Sequence, residues 1–417
     1  MTFPPPYTPS VPTFVLPDLV SHCPFPLLYH PHGDAIAAES LAWIIGSIPT
    51  LPSHKIKAMR GLQAGELTAC VYNNCHPDRL RVVSDWMNYL FHLDNISDGM
   101  KSRDTRRLSD LVMNALEWPE EFKPLASQEA GVENTAARLA RDFWSRCIPD
   151  CGLGVQRRFK SSTQMFFQAV HQQAQDRMRG RVPDLATYID MRRDTSGCKP
   201  CFDLIEYALG IELPEDVLEH PVVAALCQGA NDLVTWSNDI FSYNIEQSRG
   251  DTHNMICILM THERLSLQAA MNRVGMLCKQ TIDAFVANLS RLPSWNPQLD
   301  VNVRDYVQGL QDWIVGSLHW SFQTYRYFGP LGPQIKATRV VQLFPPRIDK
   351  GIKKDLPDAK HLSRSRSGCF DGWMRWLSYV LVSSLPGPWS SRKEDVSLGP
   401  AATFRARDSY LQPVTIV

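Results

Sequence analysis

Asn238, Ser242 and Glu246 stand four residues apart inside the stretch Asn238-Asp239-Ile240-Phe241-Ser242-Tyr243-Asn244-Ile245-Glu246. At ~100° per residue they fall at roughly 0°, 40° and 80°, one narrow stripe of a helix. An amide, a hydroxyl and a carboxylate are all oxygen donors. Hard cations such as Mg²⁺ take that donor set and leave part of their shell to water or substrate phosphate. A solvated polar face would give the same stripe, so a metal site needs a second half elsewhere in the chain.

Asp94 and Asp98 supply a candidate. Val82, Val83, Trp86, Met87, Leu90 and Phe91 repeat at helical period and form a broad apolar face. The segment turns polar at Asp94-Asn95-Ile96-Ser97-Asp98, and Gly99 is an end signal. Two carboxylates four apart can face one point. At a helix C-terminus the dipole disfavours them by roughly a few tenths to one kcal/mol, which a bound cation offsets. Asp94 and Asp98 are thus expected to hold one or two Mg²⁺, and Asn238, Ser242 and Glu246 another, with a polyanion between. The donors for such an anion are sought at helix ends. Arg192 and Arg193 precede a break at Gly197 and Pro200, and Arg326 and Tyr327 precede Gly329-Pro330. Guanidinium forks suit phosphate oxygens, and a tyrosine hydroxyl can donate to one. A solvated surface remains the simpler account of any one of these arginines.

In this order the motifs resemble the class I terpene synthases, of the microbial, fungal-type sesquiterpene cyclase kind. The family's aspartate-rich motif is similar to Asp94–Asp98, and its N-D-x-x-S-x-x-x-E metal motif to Asn238–Glu246. The resemblance makes Arg193, four residues before Gly197, the diphosphate-sensing arginine. It makes Arg326-Tyr327 the C-terminal Arg-Tyr pair, with Trp320 just upstream. It covers roughly residues 14–335 and implies an all-α, single-domain helical bundle around a central cavity. One departure is Ile245, where family members often carry Lys or Arg. Another is the tail beyond about 346, which has no counterpart in the family's core.

What the resemblance implies is a lyase that ionises farnesyl diphosphate with Mg²⁺, three ions being expected, and cyclises the cation. Arg193, Arg326 and Tyr327 would act on the diphosphate, and Gly197 would lie against the substrate. Phe91, one turn before Asp94, and Trp320 are expected to line the cavity, with Phe166 and Phe167 as further candidates. Ordinary core packing is the competing account of all four. There is no D-x-D-D motif for protonation-initiated cyclisation. A prenyl-elongating enzyme would carry two aspartate-rich motifs, and here the second is Asn/Ser/Glu. Ile245 and the tail leave room for an impaired helical protein that binds an isoprenoid or a partner. A metal-dependent phosphohydrolase is disfavoured by the scarcity of His near the motifs.

Helices must carry these residues, and the periodicity predicts them at 35–47 with Asp34 as cap, 53–63, 66–73, 79–100, 104–116, 133–146 and 154–179. Others follow at 184–193 with Asp184 as cap, 214–247, 254–290 and 302–327. Little of the chain alternates as a strand would, so the expected domain is all-α over 35–335. Residues 1–34 read as a Pro-rich arm laid on its surface, and 336–417 as a low-order extension, helical only near 370–385.

Composition narrows the rest. Lys+Arg and Asp+Glu are equal at 43 each, so no global field favours nucleic acid or an anionic membrane. The Pro-rich start lacks a leader's apolar core, and Asp371 and Arg375 interrupt the longest apolar run, Phe370 to Leu385. A cytoplasmic enzyme without a membrane span is expected. Its eleven cysteines are an odd, scattered set, read as reduced and mostly buried. Cys198-Lys199-Pro200-Cys201 has redox spacing but no surrounding βαβ pattern.

Overall fold

The computed structural model describes residues 12–48, 51–97, 100, 102–123 and 131–347. Its first seven helices are α1 (Gly33–Ser47), α2 (Ser53–Leu62), α3 (Ala64–Val71), α4 (Pro77–Ser97), α5 (Ser102–Glu117), α6 (Val132–Cys147) and α7 (Leu153–Met178). Next come α8 (Leu185–Thr195), α9 (Cys198–Leu209), α10 (Glu215–Leu218), α11 (Pro221–Arg249), α12 (Met255–His262), α13 (Leu267–Leu289), α14 (Pro297–Gln323) and α15 (Gly332–Thr338). Two short strands, β1 (Thr13–Val15) and β2 (Val340–Gln342), pair antiparallel.

The apolar repeat of α4 does what its period requires. Val82, Val83, Trp86, Met87 and Leu90 are buried. Trp86 meets Phe143 of α6 and Phe159 of α7 at ring-centroid distances of 5.2 and 4.7 Å. Burying side chains of this size contributes roughly 1.5–3 kcal/mol each. On the other side α11 packs against α13 and α14, and α14 against α3. The bundle leaves a central cavity toward which α4, α7, α8, α9, α11 and α14 each turn a face.

The structure moves several expected boundaries. Asp34 does not cap α1; it lies in the first turn and accepts the Tyr29 hydroxyl at 2.6 Å. The 214–247 pattern is two helices, because Pro221 starts α11 where its missing N–H is harmless, and the His220 ring caps Val222. The 254–290 pattern also splits, at Arg264, whose φ is +54°. Helix α9 was not expected at all: Pro200 reads as a breaker, yet it sits in the first turn, where proline is tolerated. Helix α14 stops at Gln323, so Arg326 and Tyr327 follow the helix instead of closing it.

Residues 12–34 of the arm and the described start of the extension belong to the folded body. Phe14, Leu16 and Leu19 are buried, and β2 lies at 340–342, within the span expected to be of low order. The helical reading of 370–385 lies outside the described residues. Among the described residues no helix is long and apolar enough to cross a membrane, and the described cysteines are free thiols.

Candidate active site

The cavity encloses about 1210 Å³, counting its open mouth. Its depth follows the helices. Asp94 sits on the last turn of α4, with Phe91 and Leu90 one turn deeper. Asn238 of α11 has Val234 and Thr235 below it, and Trp320, Ser317 and Trp313 descend α14. Phe166 and Val170 of α7 add to the apolar wall, while Phe167 packs behind Phe166 and does not line it.

Gly197 separates α8 from α9. Its φ is +69°, a conformation that favours glycine, and an added Cβ would press on the Leu90 methyl carbons at 3.0 Å. The break turns Arg192, Thr195 and Cys198 to the cavity wall together.

Of the two neighbouring arginines the structure turns Arg192, not Arg193, into the cavity. Arg192 donates from Nε to Asp239 Oδ1 at 3.0 Å and from Nη2 to Asn238 Oδ1 at 2.8 Å. Arg193 grips both carboxylate oxygens of Asp232, at 2.8 and 2.9 Å, and reaches Asp190 at 3.2 Å. Adjacent residues diverge by ~100° on a helix, and here the phase of α8 gives the cavity to Arg192. The expectation for Arg193 is therefore corrected: its fork ties α8 to the side of α11. Burial works against the charge of Arg192, but Asp239, then Tyr188 and Glu246, outweigh it and hold the guanidinium protonated.

Asp239, given no role by sequence, is the hub of this corner. It is buried and also accepts the Tyr188 hydroxyl at 2.6 Å and the Met255 N–H at 3.0 Å. Asn254, the cap of α12, donates to the Glu246 carboxylate at 2.9 Å and to the Asp239 carbonyl at 2.7 Å. Asp251 and His253, in the turn after α11, reach the wall too. Burial, then the charges of Arg192 and Arg177, push the His253 imidazole down to about 3, so it is neutral.

Across the mouth, Arg326 donates to Asp94 Oδ2 at 2.9 Å and lies 5.4 Å from the Phe91 ring centroid. Phe91 and Trp320 pack with centroids 5.5 Å apart, and Trp320 meets Tyr327 edge-on at 5.9 Å. The Trp320 N–H is turned away, donating to the Leu62 and Gln63 carbonyls. The Tyr327 hydroxyl accepts from Asn238 Nδ2 at 2.6 Å. Asp94, Asn238, Glu246, Arg326 and Tyr327 thus share one rim. Ser242 is buried just behind it, 3.5 Å from Asn254 Nδ2, and Asp98 lies outside the described residues. Ile245 is buried and does not line the cavity.

The donors fit a hard divalent cation. Among the described residues no three His, Cys, Asp or Glu side chains converge. What the structure offers is the amide–hydroxyl–carboxylate set of one stripe of α11, with Ser242 and Glu246 sharing Asn254 Nδ2 as a neighbour at 3.5 and 2.9 Å. Burial, then the charges of Asp251 and Asp239, push the Glu246 carboxyl up to about 8. A carboxylate so disfavoured in its ionised form is one that a nearby cation stabilises strongly.

The family model described as terpene synthase family 2, C-terminal metal binding, matches residues 85–284. The alpha-muurolene synthase of Coprinopsis cinerea is 62% identical over 331 residues, 79% of this chain and 78% of its own. The chain belongs to the terpene synthase family. A sesquiterpene synthase of Cyclocybe aegerita is 60% identical over 343 residues, 81% of this chain and 96% of its own. A solved hedycaryol synthase, 23% identical, shares the fold with a TM-score of 0.63, covering 74% of this chain and 98% of that one. The family match takes in Asp94, Arg192, Gly197, Asn238 and Glu246 of this terpene synthase. The family resemblance and the all-α expectation hold.

Proposed function

We propose that this terpene synthase ionises and cyclises farnesyl diphosphate, releasing diphosphate and a sesquiterpene hydrocarbon or alcohol. The observation that carries this is one polar rim set over an aromatic cavity: Asp94, Arg192, Asn238, Glu246, Arg326 and Tyr327 above Phe91, Phe166 and Trp320. The names of the two relatives support the C15 substrate.

Mg²⁺ held by Asp94 with Asp98, and by Asn238, Ser242 and Glu246, three ions in all, would act as Lewis acid toward the leaving diphosphate. Arg192, Arg326 and Tyr327 donate to diphosphate oxygens. Their hydrogen bonds to Asn238, Asp239 and Asp94 keep them aimed across the mouth, so little reorganisation is needed as charge develops. Arg192 takes the role expected of Arg193. With Arg326 it furnishes the cations of the rim, so Ile245 need not supply one, and the impaired-protein reading is not favoured. Below the rim, aromatic faces stabilise the carbocation by up to ~2 kcal/mol each. The hydroxyls of Thr235, Ser317 and Ser321 donate to carbonyls of their own helices at 2.8, 3.1 and 2.7 Å. Their protons are thereby committed to the backbone, which leaves fewer donors facing the cation.

The test is incubation of purified protein with farnesyl diphosphate and Mg²⁺, followed by mass spectrometry of the volatiles. A sesquiterpene formed in step with diphosphate is the expected result. Diphosphate without a hydrocarbon or alcohol would overturn it.

A further inference from the structure

The stripe of oxygen donors on α11 has a back, and that back is held by both ends of the folded body. Asn244 lies six residues after Asn238, roughly 200° from the stripe's midline at ~100° per residue. It is 2% exposed. Its Nδ2 donates to the Gln342 carbonyl at 2.8 Å, and its Oδ1 accepts the Phe344 N–H at 2.8 Å.

That pair of bonds has the form of a sheet rung. In an extended strand the carbonyl of one residue and the N–H of the next but one point the same way, opposite to the groups of the residue between. Here that residue is Leu343, whose N–H bonds the Pro12 carbonyl at 2.8 Å on the β1 side. The Asn244 amide, with the same donor and acceptor as a peptide group, fills the opposite edge. Gln247 adds a bond from Nε2 to the Phe344 carbonyl at 2.8 Å, and the Arg347 N–H bonds the Ser248 carbonyl at 2.7 Å. Tyr243 meets Phe14 of β1 edge-on at 5.9 Å. The turns that carry Ser242 and Glu246 on one face are thus bound on the other to residues 340–347, and through them to residues 12–15.

We propose that Asn244 is a positioning residue, one the metal motif leaves unspecified, which uses the C-terminal strand to hold Ser242 and Glu246 in register for metal and diphosphate. The inference rests on the metal-site reading of Asn238, Ser242 and Glu246. Asn244 touches neither substrate nor metal. It prevents the last two turns of α11 from twisting or fraying, a motion that would carry the Glu246 carboxylate out of line with Asn238.

The test uses the full chain and calorimetric titration of Mg²⁺ in the presence of inorganic diphosphate, with Tm measured alongside. Asn244→Leu keeps the volume and removes the amide. It should weaken Mg²⁺ binding about tenfold, the low end of what loss of an outer support costs a metal site. Phe344→Pro, which removes the partner N–H, should do the same. The double variant should lose far less than the two single losses combined. Asn244→Asp keeps the acceptor for Phe344 and should fall between wild type and Asn244→Leu. Should Asn244→Leu fail to fold, Gln247→Ala carries the test, with a smaller loss expected. A fall in Tm with Mg²⁺ affinity within twofold of wild type would show plain structural support and overturn the proposal. Glu246→Gln separates the two levels. If it leaves Mg²⁺–diphosphate binding intact, the metal-site reading fails. If it abolishes binding while Asn244→Leu does not weaken it, only the brace fails.

Discussion

The rim of the cavity and its walls solve opposite problems with the same helices. At the rim the described charged groups are held by polar partners: Arg326 by Asp94, Arg192 by Asn238 and Asp239, Glu246 by Asn254. Deeper in, the Trp320 N–H and the hydroxyls of Ser317 and Ser321 are turned to backbone carbonyls. The rim therefore stores oriented charge, and the walls offer shape and π-faces. The contrast implies that rim substitutions should act on ionisation, and wall substitutions on what becomes of the cation.

The largest effect should come from the rim carboxylates. Glu246→Gln keeps the shape and removes the charge. It should lower kcat/KM for farnesyl diphosphate by about 10²–10³, the scale of losing one preorganised electrostatic contact. Steady-state kinetics across a Mg²⁺ series would check it. A loss that excess Mg²⁺ fully restores would place Glu246 in metal affinity alone.

The two adjacent arginines give the next test, because the structure assigns them different faces. Arg192→Lys removes the fork that reaches Asn238 and Asp239, and turnover should fall about 10²-fold. Arg193→Lys loses the bidentate grip on Asp232 but leaves the rim intact. It should lower Tm while kcat/KM stays within about threefold, since Arg193 does not line the cavity. Equal losses of turnover in the two variants would break the distinction.

Wall substitutions should be milder in rate and sharper in product. Phe91→Leu and Trp320→Phe each remove part of an aromatic face, worth up to ~2 kcal/mol to a desolvated cation. Diphosphate release should slow by about tenfold or less, while gas chromatography shows new or redistributed sesquiterpenes. An unchanged product profile would return both residues to core packing.

The sequence carried the helices well, most plainly where burial on one face leaves a 3.6-residue period, as in α5 and α6. It failed where a rule had two outcomes. Pro200 reads as a breaker, yet in a first turn it breaks nothing, so α9 went unseen. The choice between Arg192 and Arg193 depends on helix phase beside the Gly197 break, and an error of one residue turns a side chain by ~100°. Asp239 and Asn254 make their contacts across helices, which no local period records. β1 and β2 are three residues each and pair across most of the chain, so neither has a pattern of its own. Hence one short strand within the expected arm and one within the expected extension, which pair and back α11, have no signal in the sequence.

A carboxyl away from the rim sharpens the contrast with the least effect on turnover. Asp203 of α9 accepts the Ser162 hydroxyl at 2.5 Å, and burial pushes its carboxyl up to about 7, against the opposing pull of Ser162 and Arg158. In the unfolded chain it ionises near 3.8, so between about pH 4 and 7 unfolding releases a proton that the folded state keeps. Its contribution is then fully present at low pH and is lost as pH rises toward 7. Asp203→Asn should flatten the fall of Tm with pH across that window. It should leave kcat/KM at pH 8 within about twofold, because Asp203 belongs neither to the rim nor to the cavity wall. Calorimetric scans of both proteins from pH 5 to 8 would check it. Parallel slopes would mean that Asp203 is already ionised in the fold, with Arg158 outweighing burial.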